Sequence, residues 1–127
     1  MENTPKQSIL LVDDDSANQD DIKRVLKDLD LNVIIAESTT EVPDLTRKHD
    51  FSLILFGVTP SNLTPFETAI DLDKNETTRY IPIIFQAKSE HINDLLEKGY
   101  AAGGVDFLHK PVRPTPLLAK VKVFLSL

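Results

Sequence analysis

Three places in this 127-residue chain carry residue types that could handle a phosphoryl group. Ile9–Val12 (ILLV) is an apolar run that leads straight into Asp13, Asp14 and Asp15. Val105–Leu108 (VDFL) leads into His109, Lys110 and Pro111. Between them, Phe51–Val58 (FSLILFGV) carries Gly57 near its end. Adjacent carboxylates repel unless a cation offsets them. A hard divalent ion such as magnesium suits two carboxylates with a backbone carbonyl and waters. A lysine facing them would neutralise a phosphoryl oxygen or pair with a carboxylate. Such a set could receive a phosphoryl group if a nucleophilic oxygen stood beside it, and Gly57 offers none. Each part also has a plainer reading. Asp15 or Ser16 could cap a helix while the neighbouring acids favour its positive N-terminus, and Lys110 could be a solvated loop residue.

The three apolar runs read as strands, and two more join them, Asn32–Ala36 and Ile81–Phe85. Ser8–Val12 is the first strand and Gly104–Leu108 the fifth. Helical periods separate them. Ser16 with Gln19 forms a capping-box pattern, followed by Ile22, Val25, Leu26 and Leu29 on one face. Thr39 or Thr40 caps a shorter helix with Val42, Leu45 and His49 facing inward, and Pro43 falls in its first turn. Phe66, Ala69 and Ile70 mark a third helix after the loop Thr59–Pro65. Glu90–Lys98 is a fourth, with Gly99 as the residue after its end. Thr115 caps the fifth and Pro116 opens it, with Leu118, Val121, Phe124 and Leu125 inward.

Strands alternating with helices predict an α/β fold with a parallel sheet and right-handed crossovers. The strands are apolar on both faces, as a sheet covered on both sides requires. Ligands of such sheets bind beyond the carboxyl ends of the strands, where the strand order reverses. Residues 1–7 read as a disordered lead-in and residues 8–127 as one domain. A net charge of −6 argues against nucleic-acid binding by this domain. There is no cysteine, so thiolate metal sites and disulfides are excluded. No apolar run approaches the roughly 20 residues that span a bilayer, and no signal-peptide pattern opens the chain. A cytoplasmic location is expected. The three histidines show no metal-ligand spacing, and Asp71–Glu76 reads as a solvated face.

The runs ILLVDDD, LILFGVTPSNLTPFE, IPIIFQAKSE and AAGGVDFLHKP resemble a response-regulator receiver domain over about residues 8–127. The resemblance implies a doubly wound, flavodoxin-like, five-stranded sheet of order 2-1-3-4-5. It also implies a magnesium ion on an acidic pair and an aspartate at the end of strand three that takes phosphate from a histidine kinase. Matched residue by residue, Asp13 and Asp14 are the acidic pair, with the Thr59 backbone carbonyl completing the metal site. Lys110 is the lysine and Phe107 the switch aromatic. The phosphoacceptor position falls on Gly57, and the phosphate-binding hydroxyl position on Ala87.

The resemblance therefore implies a degenerate, non-enzymatic receiver in two-component signalling, without catalytic residues, independent of phosphorylation and acting by protein–protein contact. Magnesium should bind weakly, with Lys110 paired to Asp14 or Asp13. The expected partners are a histidine kinase or a fused output domain, as for the N-terminal part of a longer multidomain signalling protein. A homodimer or inter-domain contact is expected through the last helix, whose apolar positions exceed one buried stripe. Two other readings stand beside this one. The first is a conventional phosphate-accepting regulator, with Gly57 an introduced change or another residue the acceptor. The second is a flavodoxin-like cofactor binder, disfavoured because Asp13-Asp14-Asp15 would repel phosphate where a cradling loop is needed.

Overall fold

The computed structural model describes residues 6–125. Residues 1–5 of the expected lead-in lie outside the described residues, while Gln7 already belongs to the first strand. Among the described residues, five strands alternate with five α-helices: β1 (Gln7–Val12), α1 (Ser16–Leu26), β2 (Leu31–Ala36), α2 (Val42–Lys48), β3 (Phe51–Gly57), α3 (Thr64–Lys74), β4 (Ile83–Lys88), α4 (Ser89–Ala101), β5 (Asp106–Lys110) and α5 (Pro114–Leu125). All strand pairs are parallel and the order is β2-β1-β3-β4-β5. The order reverses between β1 and β3, which brings the ends carrying Asp13 and Gly57 side by side.

Strand alternation splits the core into two layers. Leu10, Val12, Ile54, Phe56, Phe85 and Phe107 face α2, α3 and α4, where they meet Val42, Phe66, Ala69, Leu72, Ile92 and Leu95. Ile9, Leu11, Leu53, Leu55, Ile84 and Leu108 face α1 and α5, against Ile22, Leu26, Leu117, Val121 and Leu125. Each fully buried side chain of this size stabilises the fold by about 1.5–3 kcal/mol.

Several local expectations are corrected. Asp15, not Ser16, caps α1: its carboxylate accepts from the Ala17 and Asn18 amides. Ser38 caps the 3-10 turn Thr39–Glu41 that enters α2, in a capping box with Glu41. His49 ends α2 exposed rather than facing the core, and Ile70 is 40% exposed. β4 begins at Ile83 because Pro82 has no N–H to donate, and it runs on to Lys88 because β5 pairs with it as far as Lys110. α5 starts at Pro114, with Leu117, Val121 and Leu125 buried and Leu118 and Phe124 only partly so.

Gly99 does not end α4. It sits inside the helix, where a Cβ would lie 2.6 Å from Phe107 Cε2 and 3.1 Å from Phe85 Cδ2. The terminating residue is Gly103, at φ 98°, a conformation that glycine enters without steric cost. The periodicity of α4 continues through Gly99 because the missing side chain is needed for ring packing, not for chain reversal.

Candidate functional site

The same alternation decides what stands at the carboxyl edge. Asp13, Gly57, Gln86 and Lys110 each lie two residues beyond a side chain of the α1/α5 layer: Leu11, Leu55, Ile84 and Leu108. All four therefore share one face of the sheet at its top. Ala87 and Phe107 belong to the opposite layer, under α4. Asp13, Gly57 and Lys110 are brought together; Ala87 and Phe107 are set behind them.

Asp13 is the centre of the site and is only 6% exposed. Its Oδ1 accepts the Asp15 amide at 3.0 Å. Its Oδ2 accepts from Asn18 Nδ2 at 2.7 Å and lies 2.8 Å from Lys110 Nζ. Lys110 thus pairs with Asp13 as expected; its second carboxylate is Asp15, at 4.0 Å, and not Asp14. Gln19, expected in a capping box, instead donates to the Asp13 backbone carbonyl at 2.6 Å. Asp14 is exposed. The Thr59 carbonyl accepts the Asn62 amide at 3.1 Å, closing the turn after β3.

Gly57 is not an empty place. A Cβ built there would lie 2.6 Å from Asp13 Oδ2 and 2.7 Å from Asp13 Cγ. The Asp13 carboxylate therefore fills the volume in which a residue-57 side chain would begin. Gly57→Ala is expected to lower stability by a net of about 1–2 kcal/mol. Overpacking costs about 1–3 kcal/mol, which outweighs the roughly 0.5–1 kcal/mol gained by removing a strand glycine. Urea unfolding measures this; an unchanged or raised midpoint would show that Asp13 moves aside freely.

Two buried amides underlie the ion pair. Asn18 donates its second amide hydrogen to Gln86 Oε1 at 2.8 Å, and Gln86 Nε2 donates to the His109 carbonyl at 3.2 Å. Gln86 is fully buried and Asn18 is 4% exposed. Asn18 Oδ1 is buried without a partner among the described residues. Lys88, at the end of β4, joins Lys110 on the rim of a cleft of about 560 Å³ lined also by Asp13, Asp14, Gly57 and Thr59. Sequence reasoning missed Asn18, Gln86 and Lys88. The signal for Gln86 was present: a polar residue inside IIFQA, a run that a two-sided sheet buries.

Ala87 is fully buried and presents only a methyl group. Phe107 is 8% exposed, with its ring 5.7 Å from Phe85 and 5.7 Å from Tyr100. The slot it fills exists because Gly99 lacks a side chain.

The sequence comparisons settle the family. Residues 9–122 match the response regulator receiver domain. This chain belongs to that family. Among curated proteins, it is 32% identical over 120 residues to the transcriptional regulatory protein YvrH of Bacillus subtilis, covering 94% of this chain and 49% of that one. It is 31% identical over 115 residues to the cell cycle transcriptional regulator CtrA of Caulobacter vibrioides, covering 89% of this chain and 48% of that one. This receiver thus spans about half the length of these relatives. The fold is shared with a putative response regulator from Chloroflexus aurantiacus (TM-score 0.86, 24% identity, 97% and 100% of the two chains). It is also shared with the receiver domain of sensor histidine kinase PA1611 from Pseudomonas aeruginosa (TM-score 0.83, 23% identity, 97% and 100%). That domain has a magnesium ion coordinated in its active-site cleft. The doubly wound, flavodoxin-like sheet of order 2-1-3-4-5 is as expected.

In this arrangement the donor set for magnesium is only partly free. Both Asp13 oxygens are engaged, the Thr59 carbonyl holds Asn62, and β3 contributes no carboxylate. Among the described residues, no group of three or more histidines and acids is gathered to hold a metal. Nor is any helix among them long and apolar enough to cross a membrane.

Proposed function

We propose that this receiver works in two-component phosphorelay signalling without accepting a phosphoryl group itself, and acts by protein–protein contact. The observation that carries the reading is Gly57 with the Asp13 carboxylate lying in its side-chain volume. Phosphoryl transfer needs an oxygen nucleophile in line with the leaving group. Position 57 supplies no oxygen, and the oxygens of Asp13 are held by Lys110, Asn18 and the Asp15 amide. Ala87 has no hydroxyl to report a phosphate to Phe107, and Phe107 already fills its slot beside Gly99.

On this reading the domain is a signalling module rather than an enzyme, located in the cytoplasm, and its output is a surface present without modification. Its magnesium affinity is weak, since Asp13 is already paired. The partners are a histidine kinase or an output domain in the same protein, consistent with relatives about twice its length. The contact face is α4–β5–α5, where Tyr100, Val105 and Val123 are 51%, 47% and 73% exposed. Self-association or an inter-domain contact runs through α5, although Lys120 is already paired with Asp106. The domain's negative charge leaves nucleic acid to other parts of the protein.

The test is incubation with acetyl phosphate and magnesium, read by intact mass and by sedimentation at several concentrations. The expected result is no phosphoryl adduct and an association state unchanged by either reagent. A stable adduct on any residue, Asp13 included, overturns the reading. Association that appears only with acetyl phosphate would do the same.

A further inference from the structure

We propose that the resident cation of this acidic site is Lys110, and that Asn18 and Gln86 are positioning residues that keep Asp13 turned towards it. A divalent ion then binds only by displacing the lysine. The proposal rests on the receiver assignment of the cleft, but not on whether the domain is phosphorylated.

Three observations support it. The first is steric. The Asp13 carboxylate can lean into β3 only because residue 57 has no side chain, since a Cβ there would overlap Oδ2 and Cγ. The second is the direction of the hydrogen bonds. Gln86 fixes Asn18 through its Oε1, Asn18 fixes Asp13 Oδ2, and Gln86 is itself tied to the His109 carbonyl on β5. Both amides are buried, so neither can exchange its partner for bulk water without opening the core. The amide's two donors are both used, towards Gln86 and Asp13, while its Oδ1 has no partner among the described residues. The third is the lysine's setting. Its side chain is 11% exposed, and a second carboxylate, Asp15, stands 4.0 Å away. Lys110 is therefore held at the site even when its contact with Asp13 loosens, and it competes with any other cation for the same oxygen.

The experiment is a manganese titration of the whole chain, wild type against Lys110→Met and Gln86→Met. It is followed by calorimetry and by paramagnetic broadening of the Asp13, Gly57 and Thr59 backbone signals. Lys110→Met removes the competing charge and should tighten manganese binding about tenfold, within the usual coupling of neighbouring groups. Gln86→Met removes the amide that orients Asn18 and should give an intermediate gain. A gain in metal affinity is a readout that loss of stability alone does not produce. Equal or weaker binding by Lys110→Met overturns the competition, and wild-type affinity in Gln86→Met removes the positioning role. Lys110→Gln, which keeps a polar head at the cleft edge, replaces Lys110→Met if that variant loses its fold. A phosphoryl adduct in the separate acetyl phosphate assay would overturn the function reading and leave these affinities to stand.

Discussion

Asp13→Ala is expected to destabilise the domain by about 3–5 kcal/mol, the usual cost of removing one partner from a buried ion pair. Two effects oppose each other. Removing Asp13 relieves its repulsion with Asp14 and Asp15. Those neighbours are exposed, so each such term is about 1 kcal/mol in a water-like dielectric. Removal also leaves the Lys110 ammonium with only the Asp15 carboxylate at 4.0 Å, strands one buried amide hydrogen of Asn18, and leaves a gap beside Gly57. Each unsatisfied buried donor adds about 1–3 kcal/mol, so the losses exceed the relief. Asp13→Asn keeps an acceptor for Asn18 and Lys110 and should lose much less. Urea unfolding of both variants is the measurement. A more stable Asp13→Ala would mean that the three aspartates are dominated by mutual repulsion, and the ion pair would lose its structural role.

Phe85→Ala is expected to cost about 3–5 kcal/mol as well, for a different reason. Phe85 is fully buried in β4, with its ring 4.8 Å from Phe66, 5.9 Å from Phe56 and 5.7 Å from Phe107. Gly99 and Gly104 are shaped to these rings, for a Cβ on Gly104 would stand 2.6 Å from Phe85 Cε2. Little can collapse into the space left by the ring. Phe107 loses the surface it leans on, and Tyr100, stacked edge-on against Phe107, should change its environment with it. The chain has no tryptophan and two tyrosines, so tyrosine fluorescence in a Tyr80→Phe background reports this change from Tyr100 alone. Phe85→Leu should recover a large part of the stability. A loss below about 1 kcal/mol for the alanine variant would show that the aromatic cluster repacks and does not hold Phe107 in place.

Much of the site was legible because strand ends in a parallel α/β sheet are sequence-local events. An apolar run followed by Asp13-Asp14-Asp15, another followed by Lys110-Pro111, and the reversal of strand order between β1 and β3 suffice to place Asp13, Gly57 and Lys110 together. The pairing of Lys110 with a neighbouring carboxylate follows from charge once they meet. Local spacing misled where a residue's role depended on what lay across the fold. Gly99 has the position of a helix terminator, yet the Phe107 ring requires its bare backbone. Gln19 has the spacing of a capping-box residue, yet the Asp13 carbonyl is within its reach.

The sequence by itself determined the alternation of strands and helices, the acidic and basic strand ends, and the absence of an oxygen nucleophile at Gly57. These depend only on residue identity and on periods of two and 3.6. The tertiary structure alone decided that Asp13 fills the space beside Gly57, and that Lys110 chooses Asp13 rather than Asp14. It alone decided that Gln86 and Asn18 form the buried support beneath them. The physical reason is that these contacts join residues up to 97 positions apart (110 minus 13). Their geometry is set by strand register and by the helix packed against it, which no single segment encodes.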